Sequence, residues 1–145
     1  MKELEIYSGD FSTAQSLPYA DGGIFAGFPS PAQDYVDRTL DFNVELISHP
    51  AATFYAKVLG ESMQGAGIDT GDIIVVDRAL TPRDGDIVVA YLNNEFTLKY
   101  LDTSKRDKGV IYLRPDNPKY KPIRVNEGDE LVIWGVVTSV IKRFR

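Results

Sequence analysis

A serine and a lysine thirty-seven positions apart are the side chains of this sequence best suited to do chemistry together. Ser62 lies in Gly60-Glu61-Ser62-Met63, and Lys99 ends the stretch Glu95-Phe96-Thr97-Leu98-Lys99. A serine hydroxyl becomes a good nucleophile only when a base removes its proton. A lysine amine can be that base when it is neutral, and burial among apolar side chains can lower a lysine pKa by about 3 to 5 units. The pair therefore predicts a serine nucleophile served by a lysine base.

Histidine is the more usual base for a serine nucleophile, and the chain contains one histidine. His49 lies directly before Pro50, in a turn-like stretch that offers it no obvious partner. A Ser/His/Asp triad would depend entirely on this residue. The lysine is therefore the favoured base.

The surroundings of Lys99 and Ser62 also allow two ordinary structural roles. Residues 87–91 and 96–101 predict a hairpin with Asn93-Asn94 at its tip, which would form an apolar wall beside the amine. Alternation along the second strand, however, places Lys99 on the face of Glu95 and Thr97, as in a solvated strand lysine. Ser62 could likewise cap a short helix after a strand end. The residues alone leave these alternatives open.

Several short motifs occur in a characteristic order along the chain. They are Gly60-Glu61-Ser62-Met63, Gly67-Ile68, Gly71-Asp72, Val75-Val76-Asp77, Gly85-Asp86-Ile87-Val88, Phe96-Thr97-Leu98-Lys99, then Leu113, Pro115, Asn117, Tyr120 and Pro122-Ile123, and finally Trp134-Gly135-Val136-Val137. In this order they resemble the self-cleaving LexA/UmuD family of Ser-Lys peptidases. The resemblance runs from about residue 27 to the C-terminus.

The segment upstream of these motifs resembles the cleavage segment of the UmuD-like branch. It contains Ala26-Gly27-Phe28-Pro29-Ser30-Pro31-Ala32 and Asp34-Tyr35-Val36. The resemblance implies that the Ala26-Gly27 bond is the substrate, with Ser62 as nucleophile and Lys99 as general base. It also implies that main-chain N–H groups near Glu61 and Ser62 hold the oxyanion.

The sequence divides into an N-terminal arm and a core. Residues 1–31 show little periodicity and are rich in Ser, Gly and Pro, which predicts a flexible or loosely packed arm carrying the cleavage segment. Residues 32–145 form the predicted core. Within it, residues 32–48 are the best helical candidates, with Asp41 as a possible cap.

From residue 52 onward the pattern predicts mostly strands. We expect them at residues 53–59, 73–76, 87–91, 96–101, 110–113 and 131–142. Three Gly-Asp pairs, at 71–72, 85–86 and 128–129, each precede an apolar run and predict turns that lead into strands. The fold class is thus mostly β with a short helical segment. The resemblance implies a compact folded-ribbon core of the LexA catalytic-domain type.

Composition excludes several other functions. The 16 basic and 21 acidic side chains give a net charge of −5, which is the wrong sign for binding nucleic acid through its phosphates. The chain has no cysteine, and no spacing of histidines and carboxylates suggests a metal or other cofactor. No stretch resembles a membrane span or a secretory signal, so we expect a cytoplasmic protein.

The resemblance implies a role in the DNA-damage (SOS) response. A recombinase filament on single-stranded DNA would trigger self-cleavage, and the shortened protein, as a homodimer, would serve an error-prone translesion polymerase of the UmuC-like kind. A second hypothesis is a non-catalytic LexA-like β module that binds partners or dimerises. Fragmentation of the purified protein distinguishes the two hypotheses.

Overall fold

The structure, a computed structural model, describes residues 3–19 and 38–145, which form two compact units. The larger unit contains residues 3–9 and 51–145, and the smaller one contains described residues between 10 and 50. In chain order the elements are β1 (Leu4–Ser8), β2 (Ser16–Tyr19), β3 (Arg38–Asp41), α1 (Phe42–Glu45), β4 (Thr53–Val58), β5 (Ile73–Asp77), β6 (Ile87–Leu92), β7 (Glu95–Asp102), β8 (Ile111–Arg114), β9 (Ile123–Val125) and β10 (Leu131–Ile141). Short 3₁₀ turns occur at Pro50–Ala52, Gln64–Ala66 and Arg106–Lys108.

The larger unit is built on one antiparallel sheet of eight strands. Their order across the sheet is β1-β4-β5-β10-β6-β7-β8-β9. The long strand β10 joins the two halves, because its first part pairs with β6 and its last part pairs with β5. Register shifts at residues 133–135 and 137–139 interrupt this pairing, and such bulges bend a strand. The predicted mostly β core is confirmed.

The strands predicted from alternation are all present, with ends that differ by one or two residues. The predicted hairpin is formed by β6 and β7, which pair from Ile87 with Tyr100 to Leu92 with Glu95. Asn93 and Asn94 connect them with φ of 47° and 71°. Two consecutive positive φ angles are typical of the type I′ turn, whose twist matches that of the strands it joins.

The three Gly-Asp pairs form the same kind of turn, as predicted. Each glycine has a positive φ, between 87° and 95°, which side chains disfavour. Each following aspartate accepts a hydrogen bond of 2.8 Å from the main-chain N–H three residues before it: Asp72 from Asp69, Asp86 from Arg83 and Asp129 from Asn126. These aspartates close turns before β5, β6 and β10. Their role in the fold is therefore structural.

Buried side chains of the larger unit form two apolar clusters. The first contains Leu4, Ala56, Val58, Met63, Ile68, Ile74, Val76, Val89 and Leu98. The second contains Val88, Ala90, Leu101, Leu113, Val125 and Val136. Neighbouring residues of β6, Val88 and Val89, belong to different clusters because successive side chains of a strand point to opposite faces. The folded sheet therefore covers a core on each face.

The smaller unit corrects the predicted helix at residues 32–48. Residues 38–41 form β3, which pairs antiparallel with β2, and within the described residues 38–48 the helix spans only Phe42–Glu45. Asp41 caps this helix as expected, since its side chain accepts a hydrogen bond of 2.9 Å from the N–H of Asn43. Strand pairing with a distant segment has outweighed the local helical spacing. Residues 32–37 lie outside the described residues.

The first strand was not anticipated by the prediction of a loosely packed arm. Residues 4–8 form β1, which pairs with β4 from Leu4 with Val58 to Ser8 with Phe54. Leu4 is buried in the first apolar cluster. The division of the chain at residue 31 stays a prediction.

Among the helices of the described residues, none is long and apolar enough to cross a membrane.

The close approach of β10 to β5 gives a first prediction. An added Cβ at Gly135 would lie 2.5 Å from Val76 Cγ1, too close for two carbon atoms. We expect Gly135→Ala to lower the free energy of unfolding by about 1–3 kcal/mol, as overpacked cores do. Urea denaturation measures the change. The exposed variant Val132→Thr on the same strand should stay within about 0.5 kcal/mol of the wild type. An unchanged stability in Gly135→Ala would contradict the described packing.

Candidate active site

The hairpin strand β7 places Lys99 inside the protein. Lys99 lies opposite Val88 of β6, and it shares its face of the sheet with Thr97 and Leu101. Val88 and Leu101 belong to the second apolar cluster, so the lysine stem lies against buried apolar side chains. Only 3% of the lysine is exposed. The alternative of a solvated strand lysine is therefore wrong.

The loop after β4 carries Ser62. Gly60 enters the loop with φ of 115°, and a 3₁₀ turn at Gln64–Ala66 follows the serine. Met63, next to Ser62, is buried in the first apolar cluster together with Leu98, the neighbour of Lys99. One core thus anchors the main chain beside both side chains. Ser62 itself is 6% exposed.

The structure brings the serine and the lysine together. The Lys99 Nζ atom lies 3.0 Å from the Ser62 Oγ atom and 2.8 Å from the Thr97 Oγ1 atom. Both distances are normal for hydrogen bonds. The two residues singled out by the sequence are therefore in direct contact through their reactive atoms.

A third partner of the amine, Glu3, was missed in the sequence. Its Oε1 and Oε2 atoms lie 3.0 Å and 3.3 Å from Lys99 Nζ. The Oε2 atom also accepts hydrogen bonds of 2.9 Å from the Thr97 hydroxyl and from the Leu98 N–H. Glu3 directly precedes β1, so the pairing of β1 with β4 delivers this carboxylate to the site. No local sequence signal indicates a contact across 96 residues.

Residues 115–117, here called the Asp116 segment, hold the serine loop from the other side. The main-chain N–H of Asp116 donates a hydrogen bond of 2.8 Å to the carbonyl of Ser62. The main-chain carbonyl of Asp116 accepts one of 2.7 Å from the N–H of Gly65. The Asn117 side chain donates a bond of 2.8 Å to the carbonyl of Glu61. Because three bonds fix this loop, the hydroxyl has a defined position relative to the amine.

The remaining predicted site residues differ in how far the structure describes them. Glu61 directly precedes the serine, in the same loop. Ala26 and Gly27, the predicted scissile pair, lie outside the described residues. Among residues 3–19 and 38–145, no group of three or more His, Asp or Glu side chains is arranged to hold a metal ion.

The arrangement can transfer a proton, and the charge of the amine decides the direction. An ammonium has three N–H donors, and Ser62, Thr97 and Glu3 can accept all of them. A neutral amine has two donors and one lone pair. If one of those donors binds the Thr97 hydroxyl, the lone pair can face Ser62 and accept its proton. Only the neutral form makes the serine a nucleophile.

Comparisons with known proteins agree on one family. The sequence model of the Peptidase S24-like family matches residues 18–138. Protein ImpA of Salmonella typhimurium is 45% identical over 95% of this chain and 90% of its own length. Protein MucA of Escherichia coli is 40% identical over 90% of this chain and 88% of its own. The LexA repressor of Bordetella petrii is 38% identical over 83% of this chain and 52% of its own length.

The Asp116 segment gives a prediction about a titration. Burial of Tyr100, together with the hydrogen bond of 3.2 Å from its hydroxyl to Asp116 Oδ2, raises the pKa of Tyr100 above 10.0. The folded state therefore binds this proton more tightly than the unfolded state. The stabilisation is complete below pH 10.0 and is lost as the pH rises through the folded-state pKa.

Tyrosinate absorbance measures this titration. The difference between the curves of the wild type and Tyr100→Phe should show one group that titrates above pH 10.0. In Asp116→Asn the midpoint of the Tyr100 titration should fall, since the carboxylate that disfavours the phenolate is gone. An equal midpoint with and without the carboxylate would mean that the two side chains are not in contact.

Proposed function

Because this chain belongs to the S24-like peptidase family and is similar to UmuD homologues along most of its length, we propose that it is a serine peptidase that cuts itself. The observation that carries the proposal is the 3.0 Å contact between the Ser62 hydroxyl and the buried Lys99 amine. A buried lysine beside a buried serine has an evident chemical use, which is to accept the hydroxyl proton. The bond cut in this proposal is Ala26-Gly27.

The reaction begins with proton transfer from Ser62 to the neutral amine of Lys99. The serine oxygen attacks the carbonyl carbon of Ala26, and main-chain N–H groups of Glu61 and Ser62 hold the resulting oxyanion. The C–N bond then breaks, and Lys99 gives its proton to the departing amine of Gly27. Water hydrolyses the ester and restores the hydroxyl. The products are fragments of 26 and 119 residues.

The tethered substrate explains why a moderate catalyst suffices. The scissile bond belongs to the same chain as the nucleophile, so it needs no separate binding affinity to reach the site. Pro29 and Pro31 bias Phe28 and Ser30 toward extended conformations, which a peptidase groove accepts. Docking of this segment, and not the chemical steps, limits the rate in our proposal.

We place the protein in the cytoplasm, in the SOS response to DNA damage. The similarity to ImpA and MucA and the UmuD-like motifs support this role. A recombinase filament on single-stranded DNA promotes docking of the cleavage segment. The shortened chain forms a homodimer and acts as an accessory subunit of a UmuC-like translesion polymerase. The net charge of −5 is consistent with binding to proteins in preference to nucleic acid.

Substitution of the two site residues tests the catalytic assignment. Purified wild-type protein incubated at about pH 9–10, where more lysine is neutral, should give the two fragments. Ser62→Ala should give none, because the nucleophile is absent. Lys99→Ala should cut about 10²–10⁴-fold more slowly, the usual contribution of a general base. Mass spectrometry identifies the fragments and their rates of appearance.

Matched variants control for the loss of a hydroxyl or an amine elsewhere. Ser104→Ala and Lys57→Ala change exposed side chains and should cut at the wild-type rate. Circular dichroism establishes that all four variants fold. Unchanged cutting in Ser62→Ala would show that another group is the nucleophile. If the wild type stays intact even with a recombinase filament, the non-catalytic β module becomes the better hypothesis.

The substrate end is tested at Gly27. Gly27→Glu adds bulk and charge beside the scissile bond, so we expect an intact, folded protein that is not cut. Gly23→Glu places the same change four residues upstream and should still be cut. Mass spectrometry of both proteins gives the position of any cut. Cleavage after residue 26 in Gly27→Glu would rule out the assigned site.

A further inference from the structure

Glu3 contributes a carboxylate to a site whose proposed chemistry needs an uncharged amine. We propose that Glu3 is an autoinhibitory residue, which holds the Lys99 amine in its charged form until strand β1 leaves the sheet. The inference rests on the proposed function of the Ser62–Lys99 pair. It adds a regulatory contact that neither the motifs nor the resemblance predicts.

The contacts of Glu3 favour the charged amine. Its two carboxylate oxygens lie 3.0 Å and 3.3 Å from Lys99 Nζ, and the lysine is only 3% exposed. Opposite charges attract strongly at this distance when water is largely excluded. A neutral amine loses this attraction. The ion pair therefore opposes the form of Lys99 that can accept a proton from Ser62.

Glu3 is also held firmly in place by its other contacts. The Thr97 hydroxyl and the Leu98 N–H both donate to its Oε2 atom at 2.9 Å. Donors on β7 therefore fix the carboxylate beside the amine. Several hydrogen bonds thus fix the position of the carboxylate, unlike the chance approach of two exposed side chains.

The other described groups around the amine do not offset the negative charge of the Glu3 carboxylate. From β6 the facing residue is Val88, and from the serine loop it is Ser62. On β7 itself Thr97 is uncharged, whereas Glu95 adds a second carboxylate to the open groove that Glu3 and Thr97 also line. The charged groups at the site, as far as the structure describes it, thus favour an ammonium.

Strand β1, which follows Glu3, lies at the edge of the sheet and buries few side chains. Within β1 only Leu4 is buried, while Glu5 and Ile6 are half-buried and Tyr7 and Ser8 are exposed. A strand at the sheet edge with one buried side chain opens more readily than a central strand. The Glu3 side chain is 21% exposed and borders the open groove, so water can reach it as it withdraws.

A charge-removing substitution of the same shape tests the inference. In Glu3→Gln we expect self-cleavage at about pH 8 to be about tenfold or more faster than in the wild type, in line with the effect of a nearby opposite charge. The rise of rate with pH should begin at a lower pH. Glu5→Gln is the matched control, because Glu5 lies two residues further along the chain, on β1, and accepts a hydrogen bond from the Tyr7 hydroxyl. It should keep the wild-type rate and pH profile.

A second readout separates this inference from self-cleavage. A fluorophosphonate probe labels an activated serine, and Ser62→Ala gives the background. Faster labelling of Ser62 in Glu3→Gln than in Glu5→Gln supports the inhibitory contact, whether or not the protein cuts itself. If labelling is faster but no variant cuts itself, only the proposed self-cleavage is refuted. Equal labelling, or cleavage that is unchanged or slower in Glu3→Gln, overturns the inference. Glu3→Ala, which also removes the charge, must behave as Glu3→Gln does, and urea denaturation establishes that both variants are folded.

Discussion

A buried amine with three partners is the constraint on which this site depends. Lys99 is almost fully enclosed, and each N–H bond of an enclosed amine needs an acceptor. One acceptor lies on strand β7 itself, and the other two come from distant parts of the chain: the loop after β4 and the residue that precedes β1. In the described state, the surroundings of one nitrogen atom therefore bring together the hairpin, the serine loop and the residue before the first strand.

The scaffold meets this requirement with ordinary packing. Met63 and Leu98 share one apolar cluster, so the chain is fixed at the residue beside each reactive side chain. The Asp116 segment adds two main-chain hydrogen bonds that do not depend on the side chains of the residues that form them. Gly135 lies beside a register shift of β10, and its lack of a side chain lets this strand approach Val76 of β5 closely. The serine and the lysine are thus held by elements that also form the cores.

Local patterns in the sequence were sufficient for most of the larger unit. Strands rich in β-branched residues and the Gly-Asp turns are specified over a few residues, so they could be predicted. The predicted helix failed at β3 because pairing with β2 decides the conformation of residues 38–41, and pairing of separated segments has no local signal. Glu3 was missed for the same reason. A glutamate near a chain end is usually solvated, and only the pairing of β1 with β4 places it beside Lys99.

The first strand has one more consequence for the sheet. Main-chain hydrogen bonds join β1 to β4, and β4 would be the outermost strand without it. If residues 4–8 depart, the N–H and C=O groups on that side of β4 lose their partners. Bare strand edges of this kind accept an extended segment from another chain. The departure of the first strand would thus turn β4 from an internal strand into an exposed edge strand that can pair with another chain.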